Sequence, residues 1–204
     1  MVEGYASQGF QTKMAIVSAL NDLTESLSFE QVRIFQICER AEIARSTFYH
    51  HFCDKNAILQ WHSFLAYEIG IDRIGRTSSW FQGHMFTTLM LESYRNLYFK
   101  AGVTQEYSGV RPWYIRHRIE NLTETVTDFR GVTMTPLLDF QIRAMAATEA
   151  AMANYRYSRE LHVPIEEYCR MMERTVPREL FEATEVTNAG PDPDAFKLLF
   201  GLEC

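Results

Sequence analysis

The chain has 204 residues, 47% of them apolar and 23% charged, with ten Gly and six Pro. That composition excludes a disordered chain and leaves room for one large domain or a small one joined to a larger. A net charge of −6 excludes a protein that coats nucleic acid indiscriminately, because whole-chain attraction to phosphate needs surplus Lys and Arg.

From Thr12 to Leu27, the residues Ile16, Ala19, Leu20, Leu23 and Leu27 recur at three- and four-residue steps and form the stripe of an amphipathic helix. After Ser28 the segment IFQICERA places Ile34, Ile37, Cys38 and Ala41 on one face of a helix of about two turns. A second short helix follows Glu42 and Ile43, with Phe48 and Phe52 four apart on one side. Asp54 is suited to cap a longer helix carrying Ile58, Leu59, Trp61, Leu65 and Ile69, which weakens at Gly70 and Gly75. Long helices are then expected over roughly 79–101, 105–129, 136–160 and 165–176. No alternating strand pattern is convincing, so the expected fold is all-α. The end of the chain from Thr184, with its Asn-Ala-Gly-Pro-Asp-Pro-Asp run, reads as a loose tail.

The four cysteines, Cys38, Cys53, Cys169 and Cys204, lack CxxC or regular spacing, and neither a signal peptide nor a bilayer-length apolar run is visible. A cytoplasmic location is expected, with no membrane partner.

The stretch ARSTFYHHFCDK gathers Arg45, His50, His51, Cys53, Asp54 and Lys55. Neighbouring His50 and His51 point about 100° apart on a helix and diverge, which disfavours chelation. No order of nucleophile and base is present, so neither an enzyme nor a cofactor is expected. The spacing of apolar residues fits a helix-turn-helix instead. Cys38 is the small residue at the crossing, and Ile34, Ile37, Ala41, Ile43 and Phe48 seal the angle. Arg45, Ser46, Thr47, Tyr49 and His50 are left outside, a set of donors suited to phosphates and base edges.

The segment FEQVRIFQICERAEIARSTFYHHFCDKNAIL resembles the DNA-binding region of the tetracycline-repressor (TetR) family of transcriptional regulators, above all in ICERA, RSTFYHHF and the DK that opens the next helix. Together with the first helix, the resemblance covers residues 12 to 60. It implies base or phosphate contacts at Arg45, Ser46, Thr47 and His50, phosphate contacts at Tyr49 and His51, and a further one at Lys55. Arg33 departs from the Thr or Ser cap usual at its position but is long enough to reach a phosphate. Phe35 replaces a polar or basic residue, and Glu42 stands where Gly is common. Residues 1–60 carry five Lys and Arg against seven Asp and Glu, so affinity has to come from local placement.

The rest of the chain resembles the family only in layout. The resemblance implies a DNA-binding domain over 1–54, an effector-binding and dimerising domain over 55–183, and a tail over 184–204. It implies a homodimeric repressor on a pseudo-palindromic double-stranded operator, released by a small-molecule effector; a relative that has lost operator binding is the alternative. Ala144, Ala147 and Ala151 share a stripe that suits either a second subunit or an intrachain core. Leu138, Gln141, Met145, Glu149 and Met152 lie on another face. Effector candidates are Tyr107, Tyr114 and Arg118 on the helix from Gln105, with Trp80, His84, Tyr94, Tyr98 and Trp113 nearby and Met145, Glu149 and Met152 opposite. The same residues suit plain core.

Overall fold

The computed structural model describes residues 7–102, 110–157 and 161–186. The fold is all-α: α1 (Gln8–Ser26), α2 (Ile34–Arg40), α3 (Arg45–His51), α4 (Lys55–Ile69), α5 (Trp80–Ser93), α6 (Arg95–Gly102), α7 (Val110–Glu124), α8 (Pro136–Tyr157), α9 (Ile165–Arg174) and α10 (Arg178–Ala183). A 3₁₀ turn (Ile71–Arg73) follows α4, and a π-helical turn (Thr125–Phe129) closes α7. Among the described residues the sole β pairing is an isolated bridge between Ile74 and Ser78.

Two differences from the sequence reading have local causes. The helix expected over 79–101 divides at Tyr94, whose ψ of 34° leaves the helical range, so α5 and α6 are separate rods. Thr184, at the head of the expected loose tail, is itself held in the core. It is 1% exposed, and its hydroxyl accepts a hydrogen bond from the Trp80 indole at 2.8 Å. Short α10, preceded by Pro177, delivers it there.

Two apolar cores form. The first joins α1–α4 (Ile16, Leu20, Ile37, Phe48, Ile58, Leu59) with Met90 and Leu91 of α5 and Leu97 and Tyr98 of α6. The N-terminal core therefore crosses the boundary expected at residue 54. Lys100 of α6 clamps it further by donating to the carbonyls of Glu25 and Leu27, both at 3.1 Å. The second core holds Trp80, Tyr114, Leu122, Ile142, Met145, Cys169 and Leu180. α4 ends against α5 at a close crossing. A Cβ at Gly70 would lie 2.7 Å from the Gly83 carbonyl oxygen and would collide with the Thr87 hydroxyl, so only glycine permits that approach.

Candidate nucleic-acid interface

The N-terminal candidate site rests on α2 and α3. On α2, Ile37 and Cys38 face the core, and burial pushes the Cys38 thiol pKa up, so this cysteine acts as a small apolar spacer. The Arg33 N–H donates to Gln36 Oε1 at 2.8 Å, which is half of a capping box; the other half is lost because a guanidinium has no acceptor. The turn into α3 passes through Glu42 at φ +54°, the left-handed conformation that Gly adopts without a Cβ penalty.

On α3, Phe48 is fully buried and meets Phe52 with ring centroids 6.3 Å apart. At about 100° per residue, the opposite side carries His50, with Ser46 and Thr47 to either hand. Arg45 and Tyr49 form one flank, and His51 the other. Arg45, Ser46, Tyr49 and His50 are exposed, Tyr49 by 50%, while Thr47 and His51 are half-buried. The Tyr49 ring packs edge-on against Phe48 at 5.4 Å, which aims its hydroxyl outward. Arg45, Ser46, Tyr49 and His50 thus share the outward surface of α3, and Thr47 and His51 lie at its edges.

Lys55 does not join them. Its ammonium donates to the carbonyls of Phe29 at 2.6 Å and of Glu30 and Val32 at 3.2 Å, above the Phe29 ring. Three donors meet three acceptors, so the residue closes the α1–α2 connection and is a poor phosphate ligand. Its backbone lies at the start of α4, where Asp54 already caps the helix through the Ala57 N–H at 2.8 Å. Lys55→Met should lower stability by about 1–3 kcal/mol, from carbonyls left without donors. An unaltered melting temperature would reverse that assignment.

The remaining cations divide similarly. Arg40 is bound to Asp22 of α1, and Lys13 lies over the Trp61 ring. Arg33 and Arg45 are exposed and face no acidic partner among the described residues.

The second region lies in the C-terminal core. Arg118, 0% exposed, donates from Nε to Glu149 Oε2 at 2.8 Å and from Nη2 to Oε1 at 3.1 Å. Its Nη1 donates to the Ile71 carbonyl at 2.8 Å and to Asn121 Oδ1 at 2.7 Å. Asn121 Nδ2 donates to the Asp72 carbonyl, and His117 Nε2 lies 2.9 Å from Asp72 Oδ2. Tyr114 donates to Glu149 at 3.0 Å, and Trp80 lies under the guanidinium. One face of α7 therefore ties α8 to the turn that continues α4 out of the first core. His84 Nε2 sits 3.4 Å from Glu149, too far for a good hydrogen bond, and burial lowers its pKa to about 4, so it is neutral.

Of the effector candidates, Trp80, His84, Tyr114, Arg118, Met145 and Glu149 converge here, with Met152 half-buried on the same core. Trp113 lies at its margin, stacked on His117 at 5.3 Å and packed on Phe64. Tyr94 and Tyr98 belong elsewhere: they surround buried His62 in the first core, with Tyr98 Oη 2.6 Å from His62 Nδ1. Tyr107 lies outside the described residues. Sequence reasoning passed over Asp72 and His117, whose role depends on a turn 45 residues distant from α7.

The alanine stripe is open in a single chain. Ala144 and Ala147 are exposed and Ala151 half-buried, in line with Leu137 (53% exposed) and Phe140 (69%). The intrachain face of α8 is instead Leu138, Gln141, Ile142, Met145 and Glu149.

Among the described residues no cluster of three or more His, Cys, Asp or Glu is placed to hold a metal, and no helix is long and apolar enough to cross a membrane.

No family model and no curated protein matches the sequence. The structure is similar to a solved structure titled Dihydroxyacetone kinase operon activator DhaS, with a TM-score of 0.65 and 19% identity over 86% of this chain and 98% of that one. The likeness at that identity is one of fold.

Proposed function

We propose that this protein is a TetR-like transcriptional regulator that binds a pseudo-palindromic operator as a homodimer. The observation that carries the reading is the outward array of Arg45, Ser46, Thr47, Tyr49 and His50 on a short helix anchored from behind by Phe48. Such a helix enters the major groove, where hydroxyl, imidazole and guanidinium groups meet phosphates and base edges. The name of the structural neighbour, an operon activator, agrees with a regulatory role.

Dimerisation follows from α8. A run of Leu137, Phe140, Ala144 and Ala147 left in water favours burial against a second copy, and small side chains let the two helices approach closely. Two-fold symmetry then sets the half-sites about one helical turn or more apart. A small effector entering the core beside Glu149 would redistribute the hydrogen bonds of Arg118. That would move the Ile71–Arg73 turn and with it α4, shifting the spacing of the two heads. Repression is the sign that the sequence resemblance implies, and a reporter placed behind the operator reads it directly.

The test is selection of duplexes from a random pool by the full chain, followed by titration of the selected site. Specific binding at two chains per site should fall at least ten-fold in Arg45→Ala and in Tyr49→Ala, with melting temperatures unchanged. Undiminished affinity in both variants would remove α3 from the interface. The rival reading, a protein of this fold that binds ligand without an operator, draws on the small number of cations on the head; a pool that yields no preferred sequence would favour it.

A further inference from the structure

Phe35 is 56% exposed on α2, and with Tyr49 of α3 it is one of two aromatic side chains of α2 and α3 left in water. It has no donor with which to grip a phosphate. Its position on the helix is fixed by its neighbours. Ile37 and Cys38 point into the core, and Arg40 on one flank is held to Asp22 of α1 with Nη2 to Oδ2 at 2.6 Å. At about 100° per residue, Phe35 lies on the opposite flank, closer to Cys38 than to Arg40. The Cys38 side adjoins the start of α3: Ile43 N–H donates to the Cys38 carbonyl at 3.0 Å, and the charge of Arg45 acts on the Cys38 thiol. The ring therefore stands on the flank of α2 that adjoins the start of α3, with exposed Glu39 one turn along its own helix and Arg45 at the first position of α3. On the operator-binding reading this flank meets the duplex beside α3, and the one apolar feature on the major-groove edge of a base pair is the C5-methyl of thymine.

We propose that Phe35 is a specificity-determining residue whose ring packs on a thymine methyl in each half-site. The inference rests on the operator-binding reading above and adds a base preference delivered by α2, beyond what α3 supplies. The donors of α3 position the duplex, and the phenyl ring then rewards the base that offers a methyl group at that position. Cytosine and the purines present polar groups there instead.

The test uses a duplex selected by the full wild-type chain. Each thymine is replaced singly by deoxyuridine, which removes the methyl and alters no hydrogen bond. At one thymine per half-site, uracil should weaken wild-type binding about four-fold, the value of one apolar carbon. Phe35→Ala should bind the thymine and uracil duplexes equally at that position while keeping its preferences elsewhere, and Phe35→Leu should retain part of the discrimination. Unchanged melting temperatures show that the variants fold. If wild type and Phe35→Ala give the same thymine-to-uracil ratio at every position, this inference is overturned and the operator reading stands. If the wild-type chain selects no preferred sequence, both are overturned.

Discussion

Glu149→Leu is expected to lower the melting temperature by about 10 °C, far more than the loss of any surface ion pair in this protein. Arg118 and Glu149 have side chains 0% and 2% exposed, and the carboxylate receives two of the arginine donors and the Tyr114 hydroxyl. Removing it leaves a guanidinium in the core with only the Ile71 carbonyl and Asn121 as acceptors. Breaking a buried pair from one side costs about 3–5 kcal/mol, and in a chain of this size each kcal/mol moves the midpoint by about 2–4 °C. The double replacement Arg118→Met with Glu149→Leu should recover much of the loss, because two apolar side chains of similar volume need no partners. Arg178→Ala, which breaks the exposed pair with Glu182 (85% and 58% exposed), is the reference and should change little. Equal shifts for Glu149→Leu and Arg178→Ala, measured by calorimetry, would show that the network is solvated and does not bind α7 to α8.

Acidification is expected to destabilise the protein well before its carboxylates titrate. Burial lowers the His62 pKa to about 3, and burial with the nearby Arg118 charge lowers that of His84 to about 4 against the opposing pull of Glu149. Both values lie below the ordinary 6.5 that each histidine regains on unfolding. The unfolded chain therefore takes up protons that the native chain refuses. Above about pH 6.5 the two histidines contribute no pH dependence; below it, stability falls at about 1.4 kcal/mol per pH unit for each, or about 2.7 for the pair, until the folded-state values are approached. Urea midpoints compared between about pH 7 and about pH 5 measure that slope. His62→Phe keeps an aromatic ring between Tyr94 and Tyr98, removes one titrating group and should halve the slope. A stability that stays level through this interval would mean that the imidazoles are hydrated in the folded state.

The head was legible in the sequence because its logic is local. Phe48 and Phe52 are four apart, Cys38 and Ile37 adjoin, and Asp54 precedes the helix that it caps, so spacing alone assigns inside and outside. Glu42 illustrates the same point: a residue at a position suited to Gly was found in the left-handed conformation. The internal role of Lys55 was not legible because its partners are backbone carbonyls, which no side-chain pattern reveals. The split of α5 from α6 was missed because it occurs at Tyr94, without the Gly or Pro that usually marks a break. In the C-terminal half, helical stripes placed Tyr114 and Arg118 together on α7, but the pairing with Glu149 joins residues 31 apart and depends on how α7 lies on α8. The same limit explains Tyr94 and Tyr98, close in sequence to the other aromatic candidates yet folded into a different core. Stripe analysis gives the angular position of a side chain on its own rod and carries no information on which rod it faces.

The hold of Lys100 on the carbonyls of Glu25 and Leu27 has a bearing on protein engineering. A chimera that grafts residues 1–54 onto another protein of this fold would discard α4 and α6 and strip solvent protection from Ile16, Leu20 and Phe48. The transplantable unit is α1 to α6, and a graft cut at its far end would carry the first core across intact while exchanging the second.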